Sequence, residues 1–156
     1  MAPTPTIERA SGSDVDAIAD MWVRLARDQR AYDSYVRPEA NREAMRESLA
    51  AYAAADGLLV ARVDGELAGF ASVSIERGSL ELDATRGTLS NLYVEPRFRD
   101  QGVGSALLEA AESTLEEKGA EVVVLEVMAA NEDARRFYRR HGYDAFRVTM
   151  DRSLEE

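Results

Sequence analysis

Cysteine is absent from the 156 residues, which removes disulfides, thiolate metal ligands and a cysteine nucleophile from consideration. Histidine occurs once, at His141, too few for a histidine-rich metal site within one chain. No metal is therefore expected. Lysine is confined to Lys118, and 29 acidic residues against 19 basic ones leave a formal net charge of −10. A surface of that sign repels phosphate backbones, so nucleic acid is not an expected partner. Long apolar runs are also missing. None approaches the roughly 18 residues of a membrane span. Met1 to Thr6 is short, small and proline-bearing, unlike a signal peptide. No membrane association is expected, and the cytoplasm is the expected location. With no internal repeat and no linker-like stretch, residues 1–156 read as one domain.

What is present supports a packed core, since 46% of the residues are hydrophobic and disorder is disfavoured. The acidic, lysine-poor composition fits a protein from a salt-loving organism, where high salt screens self-repulsion. A GC-rich genome that favours arginine and alanine is the competing account.

The chain is organised around Thr88 to Leu107, TLSNLYVEPRFRDQGVGSAL. Thr88 to Val94 is apolar and β-prone and reads as a buried strand. Glu95-Pro96 stops it, because proline cannot donate to a sheet ladder. Arg97, Arg99, Gly102 and Gly104 then lead into a helix from Val103 to about Lys118. Its expected apolar face is Val103, Ala106, Leu107, Ala110, Ala111 and Leu115. A strand, a glycine turn and a helix start make an anion site. The first helical N–H groups lack intrahelical partners, the macrodipole adds partial positive charge, and glycines clear the approach. An ordinary turn whose glycines only relieve crowding is the alternative. Gly104-Ser105 lacks the lysine of a Walker loop, and Leu107 stands where a dinucleotide fingerprint needs its third glycine.

Along the rest of the chain, Thr6 to Ala10 reads as a short strand. Ser11 or Ser13 caps a helix running to about Arg30, with Val15, Ile18, Ala19, Trp22 and Leu25 on one face. Pro38 opens a second helix to about Asp56, striped by Met45, Leu49, Tyr52 and Ala53. Leu58 to Val63 and Leu67 to Ser74 flank Asp64-Gly65, a hairpin signal. Gly69 marks a bulge or a close backbone approach. Ile75 to Arg86 is a polar connection. Glu121 to Val127 is a buried strand, Asn131 to Arg140 a helix, and Tyr143 to Met150 alternates as a last strand should. Ser153 to Glu156 reads as a frayed tail. The order β-α-α-β-β-β-α-β-α-β implies an α/β sandwich with a mixed sheet.

Arg99-Asp100-Gln101-Gly102-Val103-Gly104 resembles the Gln/Arg-x-x-Gly-x-Gly/Ala signature of the GNAT N-acetyltransferase superfamily. Leu125-Glu126-Val127-Met128-Ala129-Ala130-Asn131, with Ala134, Phe137-Tyr138 and Gly142-Tyr143, resembles the second motif of that superfamily. It is nearest to the branch that acetylates protein N-termini, including the alanine terminus of a ribosomal protein. The resemblance runs from Leu89 to Tyr143; ahead of Thr88 only the order of elements matches. It implies a three-layer α/β/α sandwich with a mixed, mostly antiparallel central sheet. It also implies an acyltransferase that moves an acetyl group from acetyl-CoA to a primary amine, by direct attack on the thioester. The acceptor would be a small molecule or a peptide or protein N-terminus. A homodimer is compatible with the reading.

By the same resemblance, Arg99, Gln101, Gly102, Val103, Gly104 and Ser105 cradle the pyrophosphate. Backbone groups of Leu92 and Val94 pair with pantetheine, and Asn131 contacts the cofactor arm besides capping its helix. Glu126 would be the general base, directly or through water, and Tyr138 would protonate the departing thiolate. Each has a plainer alternative: a strand-end carboxylate on a solvated rim for Glu126, a core aromatic beside Phe137 for Tyr138. Arg97 is a weaker phosphate candidate than Arg99, and His141 reads as a helix-end charge. Met128 departs from the ribosomal-protein branch, where a basic residue often follows the Glu-Val pair, and this departure weighs against a peptide acceptor. Tyr32, Tyr35 and the Ile75 to Arg86 connection fall where this fold builds its acceptor site. A non-catalytic acyl-CoA sensor, and a domain for another nucleotide, remain as alternatives.

Overall fold

Alternating apolar residues along the strands give a single sheet two faces to bury. The structure, a computed structural model, describes residues 4–155. Residues 1–3 of the Met1 to Thr6 stretch and Glu156 of the tail lie outside them. The elements are β1 (Thr6–Arg9), α1 (Val15–Arg30), α2 (Arg42–Ala54), β2 (Leu58–Val63), β3 (Glu66–Ile75), β4 (Arg86–Val94), α3 (Val103–Glu117), β5 (Val122–Leu125) and α4 (Glu132–Arg140). The strands stand in the order β1-β2-β3-β4-β5. Pairing is antiparallel up to β4 and parallel between β4 and β5. This is the mixed, mostly antiparallel sheet that the sequence implied, with helices on both sides.

On one side α1 sets Val15, Ile18, Ala19, Trp22 and Ala26 against Leu58, Val60, Phe70 and Tyr93, with Leu49 of α2 fully buried. On the other, Val103, Leu107, Leu108, Ala111 and Leu115 of α3 pack on Leu59, Ala61, Ala71, Val73 and Leu89. Leu107, Leu108 and Leu115 are fully buried, and each buried leucine stabilises by roughly 1.5–3 kcal/mol. Leu108 lies outside the narrower face expected from spacing, because a helix on a sheet buries a stripe over 100° wide. Asp64 and Gly65 both have positive φ, 50° and 82°, the primed turn that a two-residue hairpin demands.

Two irregularities shape the sheet. A Cβ on Gly69 would lie 2.3 Å from the Tyr93 carbonyl oxygen, so the close approach is real, and a register shift between β2 and β3 lies beside it. In β4, Asn91 pairs with Ser72 and Leu89 with Val73, which leaves Ser90 as an extra residue. That bulge restores the side-chain parity: Leu89, Leu92 and Val94 all belong to the α3 side despite their odd spacing.

Two expectations are corrected. The strand expected over Glu121 to Val127 is shorter, ending at Leu125, because β4 bends away beyond its bulge. Glu126 therefore follows the strand and is not part of it. The last strand, Tyr143 to Met150, does not form. Residues 143–155 have no regular structure, and Phe146, Val148 and Met150 are 72%, 79% and 88% exposed. Alternation supplies a face; a strand also needs a neighbour to bond with, and none lies alongside.

Candidate active site

The bulge at Ser90 opens a slot. Parallel pairing between β4 and β5 runs from Arg86 and Val122 to Leu89 and Leu125, then stops, while β4 continues to Val94. A bulged strand bends and twists, and here it leaves β5 where the bulge begins. The Glu95 N–H donates to the Ala68 carbonyl on β3, at 2.7 Å. Backbone groups alternate sides along a strand, so Tyr93 and Asn91 face β3. Leu92 presents its N–H and C=O, and Val94 its N–H, to the slot.

The slot ends at the start of α3. Pro96–Phe98 makes one 3-10 turn. The Gln101 amide donates to the Arg97 carbonyl at 3.1 Å and ties the loop. Asp100 and Gly102 adopt positive φ, 60° and 84°, so the chain turns sharply onto Val103. Gly102 is the N-cap residue and no side chain caps this end. α1, α2 and α4 each carry an acidic residue in the first turn, Asp16, Glu43 and Glu132 with Asp133, whereas α3 carries none. Its positive end is thus left for an external anion. Gly104 points the same way. A Cβ there would meet only Phe137 ring atoms at 3.5 and 3.6 Å and a Val94 methyl at 3.8 Å, ordinary contacts. The folded chain therefore tolerates a side chain at 104 and does not itself require glycine there.

Side chains around the loop are engaged. Arg99 donates through Nε to the Val94 carbonyl at 2.8 Å, pairs with Asp28 at 3.3 Å and lies over the Tyr93 ring. It braces the slot from below in this state. Arg97 pairs with Glu66 at 3.2 Å and lies over Phe98. Ser105 Oγ lies 3.1 Å from His141 Nε2, and the His141 ring packs on Phe137 with centroids 4.7 Å apart. That link between α3 and the end of α4 was not anticipated; its only local component is the i, i+4 spacing of Phe137 and His141 on α4.

Asn131 caps α4, its side-chain oxygen accepting from the Ala134 N–H at 3.1 Å. Phe137 and Tyr138 pack on the α3-side core together with Leu92 and Val94. Burial pushes the Tyr138 phenol up to about 12, so it is a neutral hydrogen-bond donor at any physiological pH. Tyr143 donates to Glu112 at 2.7 Å, and burial with that contact pushes its phenol up as well. Glu126 is exposed beyond the end of β5, on the rim of the slot. Tyr35, also exposed, donates to Asp151. The 76–85 connection is mostly exposed, and Arg86 and Glu76 close its base at 2.6 Å. The structure thus brings Leu92, Val94, the 99–105 loop and the Phe137–His141 face of α4 together, and sets Glu126 at the mouth. Among the described residues no group of three or more acidic or histidine side chains is placed to hold a metal, and no helix is long and apolar enough to cross a membrane.

Comparison with known proteins agrees with this geometry. The model of the Acetyltransferase (GNAT) family matches residues 21–143. An uncharacterised N-acetyltransferase of Archaeoglobus fulgidus is 32% identical over 132 residues, covering 85% of this chain and 88% of that protein. An N-alpha-acetyltransferase of Sulfurisphaera tokodaii is 34% identical over 108 residues, covering 65% of this chain and 64% of that protein. A predicted acetyltransferase of Clostridium acetobutylicum, solved with acetyl-CoA, superposes with a TM-score of 0.77 at 15% identity, covering 97% of each chain.

Proposed function

The chain belongs to the acetyltransferase (GNAT) family, whose fold uses acetyl-CoA, and from that premise we propose that it acetylates a primary amine by direct attack on the thioester. The observation that carries the proposal is the slot between β4 and β5. It is lined by backbone groups of Leu92 and Val94 and closed by the uncapped start of α3.

In this reading the N–H groups of Val103, Gly104 and Ser105 receive the pyrophosphate, with Gly102 setting the turn and Gln101 holding it. Arg99 exchanges Asp28 for a phosphate. Leu92 and Val94 bond the amide-rich arm, and Asn131 orients it from the start of α4. Acetyl-CoA supplies the activated acyl group. Glu126, exposed at the mouth, takes the proton of the attacking amine through water. An α-amino group, with a pKa of about 7.7–8.0, needs far less of that help than a lysine-like amine at about 10.4. The name of the Sulfurisphaera tokodaii relative supports an α-amino acceptor, and small-molecule amines are the other class. A phenol at about 12 is a much weaker acid than a thiol near about 8.5. Tyr138 therefore stabilises the departing sulfur by a hydrogen bond, and the proton that ends on the thiol comes from the amine.

Calorimetry with acetyl-CoA and with ATP, followed by thiol-release assays on peptides, polyamines, aminoglycosides and amino acids at low and high salt, tests this. Acetyl-CoA binding with turnover on at least one amine is expected. Tight binding with no turnover on any of them would make the chain an acyl-CoA sensor.

A further inference from the structure

The last two turns of α1 lie against the loop that opens α3. Arg24 and Asp28 stand four residues apart, on one face of that helix. Arg24 donates through Nε to Glu95 Oε1 at 3.1 Å, and Asp28 accepts from Arg99 Nη2 at 3.3 Å. The two pairs cross in sign. α1 offers a cation to the acid just ahead of the loop and an acid to the cation within it. Tyr93 is their shared neighbour. The Arg99 guanidinium lies 5.6 Å from its ring centre, and burial pushes its phenol up, so it stays neutral and adds no charge. The pairs also differ in burial. The Glu95 side chain is 16% exposed, and a carboxylate so covered needs a partner. Asp28 and Arg99 are 53% and 45% exposed, and a pair in that setting is held weakly. Arg99 can release Asp28 without leaving its place, because Nε stays on the Val94 carbonyl at 2.8 Å and a guanidinium has five donors.

We propose that α1 tunes the charge of the coenzyme's phosphate site through this crossed pair, with Asp28 and Arg24 as positioning residues of opposite effect. Asp28 competes with the phosphates for Arg99 and so weakens their binding. Arg24 neutralises Glu95, whose bare charge beside the loop would repel the same phosphates, and so strengthens their binding. In a chain with 29 acidic residues against 19 basic ones, an unpaired arginine is scarce and an unpaired carboxylate is not. The site therefore depends on which acids near it are neutralised and which of its arginines are held by acids. The inference rests on the acetyl-CoA reading above and adds to it two residues outside the loop, on the opposite side of the sheet from α3.

Titration calorimetry with acetyl-CoA at low and high salt tests both halves. At low salt Asp28→Asn should tighten binding about two- to fivefold, the range of an exposed ion pair. Arg24→Gln should weaken it by at least as much. Both effects should shrink in about 1 M salt, where the screening length falls to about 3 Å. Second substitutions separate charge from fold. In an Arg99→Gln chain, Asp28→Asn should have no effect on affinity. Glu95→Gln added to Arg24→Gln should bring affinity back to within about twofold of wild type, whatever the melting temperature does, because the neutral amide no longer needs the guanidinium. Affinity unchanged or lowered in Asp28→Asn, or raised equally without Arg99, overturns the competition. Affinity unchanged in Arg24→Gln, or not restored by Glu95→Gln, overturns the shielding. A wild-type chain that binds no acetyl-CoA overturns the coenzyme reading itself, a result distinct from the other two.

Discussion

Replacing Gly104 with alanine should move stability and coenzyme affinity in opposite directions. The added Cβ meets nothing closer than 3.5 Å, so no overlap arises in the folded chain. Alanine is favoured over glycine inside a helix by about 0.5–1 kcal/mol. For a domain of this size about 1 kcal/mol raises the melting temperature by about 2–4 °C, and a first-turn position realises at most that gain. In the proposed binding mode the same methyl narrows the approach of a phosphate to the α3 N–H groups. Each hydrogen bond to a charged oxygen contributes roughly 1.5–3 kcal/mol, so losing one weakens acetyl-CoA binding by roughly 10- to 150-fold. Thermal denaturation without ligand and titration calorimetry with it measure the two effects separately. Gly69→Ala is the control. Its Cβ would lie 2.3 Å from the Tyr93 carbonyl oxygen, and it should destabilise the fold strongly. Affinity within twofold of wild type in Gly104→Ala would refute the anion site at α3. A melting temperature lowered by several degrees would refute the fit of a Cβ at 104.

Tyr138→Phe should lower turnover by about 10²-fold or more, the size of losing one preorganised hydrogen-bond donor to developing negative charge, with acetyl-CoA affinity nearly unchanged; equal turnover would leave Tyr138 a core aromatic. The same substitution bears on alkaline stability. The folded phenol sits at about 12 against an ordinary 10.0, so the unfolded chain loses its proton first. Stability present below pH 10 should fall as pH rises towards 12, and Tyr138→Phe should flatten that fall in chemical denaturation curves. Glu126→Gln should lower kcat/KM by about 10²–10⁴-fold for a lysine-like amine and much less for an α-amine at pH 8 and above. An identical pH–rate profile would move the base elsewhere.

The glycine turn, the start of α3 at Val103, the cap at Asn131 and the apolar faces of α1 and α3 were legible because each is a local matter. Helical spacing, a φ that only glycine takes easily, and a side chain that reaches three residues ahead all lie within one turn of chain. Ser90 was not legible. A bulge shows in the sequence only as Leu89 and Leu92 out of phase, and which partner strand is short a residue depends on β3. The contact of His141 with Ser105 was equally hidden, since it joins the start of α3 to the end of α4, 36 residues on. Arg99 was read as a phosphate contact; that it also holds the Val94 carbonyl and Asp28 was not legible, since Asp28 lies 71 residues away on α1.

The final segment shows the division most clearly. Its alternation of Phe146, Val148 and Met150 is a property of the sequence, and so is its capacity to be a strand. Whether it becomes one rests on an unpaired edge within reach, and hydrogen bonds between strands are made only where the fold brings two backbones to about 5 Å. The sequence by itself determined the family and the glycine turn that opens α3, because those depend on residue types at short spacing. The slot, the company kept by Tyr138 and Glu126, and the open edge of β5 were decided by tertiary structure, where one extra residue in β4 separates two strands that spacing alone would keep together.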